Sequence, residues 1–218
     1  MTGKIRKNHP AGTVLNRLCC LLLAVFAFFS PGNAGALTED LFSDTITVIR
    51  NYTYGTLLYD SAFLEPRYGP GIGYATDYRF DFREGTRVRI MTIARDASGN
   101  KWVMAEADTR DGPMRVYLLY YNARSKEYTI SIEDPGKLAV ESEPDYNLDG
   151  CLLDDTPLRT GPGREYPLMR KGLDSEYGAA IVASNKGWVL VEYIEDETIT
   201  ETPLRYRGWV PFEAVIAY

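Results

Sequence analysis

The stretch Thr156-Pro157-Leu158-Arg159-Thr160-Gly161-Pro162-Gly163-Arg164-Glu165-Tyr166 constrains this chain more than any other. A weaker copy stands at Pro66-Arg67-Tyr68-Gly69-Pro70-Gly71-Ile72-Gly73-Tyr74. Gly-Pro-Gly between apolar runs forces a bend, because proline fixes one φ and the flanking glycines are free to take φ > 0. The two bends are offset by 92 residues. That spacing predicts two copies of one small unit.

The rest of the chain lines up around the bends. Gly55-Thr56-Leu57-Leu58 matches Gly150-Cys151-Leu152-Leu153 ahead of them. After them come the strands Thr86–Ile93 and Gly178–Ala183, each followed by a polar turn into Trp102-Val103-Met104-Ala105 or Trp188-Val189-Leu190-Val191. Each copy then passes through a variable loop into Pro113–Leu118 or Pro203–Val210. Short strands separated by turn signals, with no run of helical period, predict an all-β fold of two small barrels. The expected boundaries are 55–122 for the first barrel and 150–218 for the second. Residues 37–54 read as an N-terminal extension with one strand. Residues 123–149 read as an acidic linker with one possible strand, Tyr128–Ile132, able to dock on the first barrel.

The N-terminus carries Lys4, Arg6, Lys7 and Arg17 before the apolar run Leu18–Phe29, and Ala34-Gly35-Ala36 offers a small-x-small cleavage site. The run is about 18 Å long as a helix, too short for a bilayer core of about 30 Å. Residues 1–36 therefore read as a secretory signal peptide, leaving no stable membrane span. Four basic and no acidic residues leave with it, so 20 Lys and Arg face 30 Asp and Glu, a net charge of −10. Such a chain is a poor partner for nucleic acid or an anionic membrane. The one histidine, His9, leaves as well. Without it there is no base for a Cys151 thiolate or a serine triad and no imidazole for zinc, so the chain is expected to be non-catalytic and without cofactors.

Leu158-Arg159-Thr160-Gly161-Pro162-Gly163, Lys186-Gly187-Trp188-Val189 and Arg207-Gly208-Trp209-Val210 together resemble the bacterial SH3-like (SH3b) domain family, and the second copy holds all three marks in order. The first copy departs from the pattern, with Tyr117-Leu118 where Gly-Trp-Val is expected. The resemblance implies that the two barrels in tandem are SH3-like and partly open, and that they form an accessory module of the cell envelope, outside the cell, that binds wall peptide, wall glycan or an envelope protein.

Candidate ligand-binding residues are Arg159, Tyr166, Trp188, Trp209, Tyr68 and Tyr74. Aromatic rings left at the surface of a small barrel line grooves for sugars or peptides, whereas the same rings in a core only pack. An Arg at a bend either holds its own loop or meets a ligand carboxylate. A structural alternative has the two barrels pack face to face and bury Tyr74 and Trp102 between them. A third reading is a calcium-dependent adhesion module at Asp145-x-Asn147-x-Asp149-Gly150, which matches the first half of a calcium loop but has Thr156 where a bidentate Glu belongs.

Overall fold

The computed structural model describes residues 46–141, 149–173, 179–195 and 204–217. The expected signal peptide, the start of the N-terminal extension, Asp145 and Asn147 lie outside these residues. The side chains of Asp149 and Cys151 also fall outside what is described. No helix among the described residues is long and apolar enough to cross a membrane.

The all-β expectation holds. One sheet has the order β6 (Glu127–Tyr128), β5 (Gly112–Asn122), β4 (Lys101–Thr109), β3 (Arg87–Arg95), β2 (Thr53–Leu57) and β7 (Ile130–Ile132). The other runs β11 (Leu168–Leu173), β10 (Thr156–Arg159), β14 (Leu204–Pro211), β13 (Trp188–Glu195), β12 (Ala179–Asn185), β9 (Asp149–Leu152) and β15 (Val215–Ala217). Neither path returns to its first strand, so neither sheet is a closed barrel among the described residues.

The registers repeat between the sheets. Gly55 faces Val88 as Gly150 faces Ala179, and Arg67 bridges Tyr117 as Arg159 bridges Trp209. Both central hairpins shift register at the same place, between Ile90 and Thr92 in one and between Ile181 and Ala183 in the other.

Two strands do not follow the sequence-based boundaries. β1 (Thr47–Val48) pairs in parallel with β12, in the second sheet, although β2 that follows it belongs to the first. β8 (Ala139–Val140) pairs in parallel with β3, in the first sheet, although it precedes the second. Thr47 and Ala139 are again 92 residues apart. The repeat thus includes a leading strand that crosses to the other sheet. Through Glu141 the segment expected as linker is therefore structured: the expected strand Tyr128–Ile132 divides, Tyr128 pairing with β5 and β7 with β2, and β8 extends the sheet.

This crossing explains why the tryptophan strands lack the apolar–polar alternation of a half-buried sheet. Side chains alternate faces along a strand. On β4, Val103, Ala105 and Ala107 face the core of their own sheet. Trp102 and Met104 face a third core, shared with Val182, Ala183, Leu190 and Trp209 of the second sheet. On β13, Val189, Val191 and Tyr193 line the second sheet's own core while Leu190 faces the shared one. Both faces are buried, so the runs Trp102–Ala105 and Trp188–Val191 are apolar without a break.

The glycines of the bends are required for close approach. A Cβ on Gly69 would lie 2.1 Å from the Tyr74 ring, and one on Gly161 would lie 2.0 Å from the Tyr166 ring. Neither glycine needs the left-handed φ that the sequence alone suggested; among the bend glycines it appears at Gly71, with φ 148°. We predict that Gly161→Ala destabilises the fold by about 2–3 kcal/mol through overpacking. Gly73→Ala, where nothing lies within 4 Å of the added Cβ, should be close to neutral. Urea unfolding of the two variants checks the contrast.

Candidate functional site: a crossed polar grip and an aromatic groove

Each bend is closed by its own arginine. Arg67 Nη1 donates to the carbonyls of Ile72 (3.1 Å) and Tyr74 (2.8 Å). Arg159 Nη1 donates to those of Arg164 (3.1 Å) and Tyr166 (2.7 Å). A guanidinium with several donors in a fixed fork suits this bracing. Arg159 therefore holds its loop.

The tyrosine that ends each bend reaches into the other sheet. Tyr74 Oη donates to Glu192 Oε2 at 2.6 Å, and Arg207 Nε donates to the same oxygen at 2.8 Å. In mirror fashion Tyr166 Oη donates to Glu106 Oε2 at 2.7 Å, beside Arg115 Nε at 2.5 Å. Tyr74, Tyr166, Glu106, Glu192, Arg115 and Arg207 are all buried. Burial pushes the Tyr166 phenol up to about 12; the Arg115 charge opposes that, and the Glu106 hydrogen bond and charge reinforce it. For Glu106, burial alone would raise the carboxyl. The Arg115 charge, with hydrogen bonds from Arg115 and Tyr166 and the charge of Arg89, outweighs it and holds the group below its usual range.

The two clusters differ at the crossing segment. Glu141, on the crossing segment after β8, accepts from Tyr117 Oη (2.8 Å), Arg207 Nη1 (2.8 Å) and the Thr92 hydroxyl. At the corresponding places in the other half stand Ile49, Trp209 and Ala183, all in the shared core. Three polar groups are exchanged together for three apolar ones. Arg115 consequently lacks a second carboxylate: its Nη1 is buried without a hydrogen-bond partner, and its guanidinium carbon lies 5.3 Å from the Trp209 ring.

The six sequence-predicted ligand residues thus gather at or beside the junction of the sheets. Trp209 is buried in the shared core and Trp188 packs against it, half-buried. Tyr68 is half-buried, donates to Asp77 Oδ2 at 2.5 Å and lies 5.9 Å from the Tyr206 ring of the second sheet. None of the six lines the groove beside Phe63 and Ile72. No group of three or more potential metal-ligating residues occurs among the described residues.

A groove of about 390 Å³ lies elsewhere, in the first half. Leu64, Trp102 and Leu119 contribute to its lining, together with Tyr59, Phe63 and Ile72. Phe63 is 80% exposed and Ile72 81%. The Tyr59 and Phe63 rings stack at 6.0 Å and 23°. Phe63 is carried on a single helical turn, Ser61–Leu64, pinned because the buried Ser61 Oγ donates to the Phe80 carbonyl and accepts from the Phe82 amide. Glu65 ends the turn in a left-handed conformation with φ 46°. Ile72 stands at the tip of the first bend. The first copy has nine residues between Leu57 and Arg67 where the second has six between Leu152 and Arg159. The additional residues carry the helical turn. Sequence reasoning missed Tyr59, Phe63 and Ile72, and that difference in length was the signal that could have found them.

Asp77, like Glu106, is held below its usual range: burial raises it, but the Arg79 and Tyr68 hydrogen bonds prevail. Both carboxyls bind a proton more readily in the unfolded chain, near the ordinary values of about 3.9 and 4.3. Their stabilisation is complete above those values and is lost as pH falls through the lower folded ones. We predict a midpoint of thermal unfolding that drops below about pH 4.5, with a shallower drop in Glu106→Gln, measured across an acid pH series.

No protein-family model, no curated protein and no solved structure matches this chain.

Proposed function

We propose that this chain is a secreted, non-catalytic binding protein of the bacterial cell envelope, built from a tandem pair of SH3-like modules. The groove at the first Gly-Pro-Gly bend recognises wall peptide, wall glycan or an envelope protein. The observation that supports this reading is the pairing of Phe63 and Ile72, two large apolar side chains about four-fifths exposed and lining one groove. Exposed apolar residues that converge on a concave surface mark interaction sites, whereas single scattered ones do not. A volume of about 390 Å³ falls within the range of roughly 300–1,000 Å³ common to ligand clefts.

A second reading, a scaffolding protein with no small ligand, is favoured by the burial of Tyr74 and Trp102 between the halves. The two readings divide the molecule: the junction explains those rings, and the groove is left for a partner. Co-sedimentation with purified peptidoglycan at low salt separates them. The binding reading predicts that the mature protein enters the pellet and that Phe63→Ala/Ile72→Ala weakens this about tenfold or more, as loss of an apolar anchor does. The variant should keep its thermal midpoint, since both side chains are exposed. Protein that stays in the supernatant, or a variant that pellets as well as the parent, contradicts it.

A further inference from the structure

The groove's polar lining points to the chemistry of its ligand, an inference that rests on the binding reading above. The one cation in the lining, Arg67, is already engaged. Its Nη1 holds two carbonyls of its own bend, its Nη2 pairs with Glu65, and its Nε is buried. A ligand carboxylate or phosphate therefore finds no available cation among the lining residues. The oxygens of the two lining amides are engaged too. Asn100 donates to Asp96 and accepts from the Ala123 amide, and the Asn122 oxygen accepts from the Arg124 and Ser125 amides. The Thr129 hydroxyl donates to the Leu119 carbonyl. Neutral groups remain at Tyr59, Ser125 and the Asn122 Nδ2, but the charged groups left are acidic: Glu127 is exposed and carries no ion pair among the described residues, and Glu65 is 58% exposed despite its pair with Arg67.

An apolar floor, two exposed apolar walls and carboxylates at the rim complement a segment with an aliphatic side chain next to an amine. We propose that the groove binds an extended peptide, with an aliphatic side chain between Phe63 and Ile72 and a side-chain ammonium at Glu127 and Glu65. An amine-bearing peptide is chosen over a glycan because the charged groups left free are carboxylates, which choose a cation strongly and a neutral hydroxyl weakly. The contact is charge-assisted and rim-exposed, so it is sensitive to salt.

The experiment follows the backbone amide resonances of Phe63 and Ile72 in the full mature chain during titration with three probes. These are N-acetyl-Leu-Lys-Leu-amide, its Leu-Glu-Leu counterpart and an N-acetylglucosamine tetramer. The expected result is saturable movement of both resonances with the lysine peptide alone, in the millimolar range expected for so small a ligand. The affinity should fall about threefold in Glu127→Gln, an exposed ion pair's worth. Equal response to lysine and glutamate peptides, movement with the sugar instead, or no movement with any probe overturns the proposal. If the amine preference fails while peptidoglycan sedimentation still depends on Phe63 and Ile72, the binding reading stands without it. If sedimentation does not depend on them either, that reading falls as well.

Discussion

A buried carboxylate that accepts from an arginine of its own sheet and a tyrosine of the opposite half is the interaction on which this structure depends. It occurs twice, at Glu106 and at Glu192, in mirror-related positions. Its cost is large, because charges removed from water must recover their solvation from each other. A buried ion pair is therefore weak evidence for stability. It is better evidence for specificity, since any slip of the halves leaves a charge without its partner. Breaking one side is severe: Arg207→Met would strand both Glu141 and Glu192, a loss of about 3–5 kcal/mol.

The crossed leading strands make the same statement in backbone. β1 extends the second sheet and β8 the first, so each half lends its opening strand to the other. Together with the shared core, this makes the junction an interior. The exchange of Glu141, Thr92 and Tyr117 for Ile49, Ala183 and Trp209 then gives the two halves unlike faces. One cluster holds an arginine between two carboxylates, and the other holds a carboxylate between the arginines Arg115 and Arg89. Self-pairing of the second half would bury two carboxylates for each arginine on both sides, which favours its pairing with the first.

Much of the architecture was legible in the residues. The bends, the tryptophan strands and the 92-residue spacing followed from glycine and proline chemistry and from β-branched runs. The leading strands were not legible, since two residues carry no periodicity and their partners lie in the other half. The destination of Tyr74 and Tyr166 was hidden for a related reason: a tyrosine beside a bend looks the same whether its hydroxyl meets water or a carboxylate from another strand. Glycine was recognised as essential at Gly69 and Gly161, but for φ rather than for the ring that lies against it. The groove went unseen because its key residue, Phe63, is exposed only through a short insertion whose fold depends on the buried Ser61 hydroxyl.

The claim that the crossed grip welds the halves into one cooperative unit is tested most directly by scanning calorimetry of the chain from residue 37 onward. A single transition whose calorimetric and van't Hoff enthalpies agree is the predicted result, with Arg207→Met lowering that transition without dividing it. Two separable transitions, or a variant in which one sheet melts while the other persists, would contradict the account.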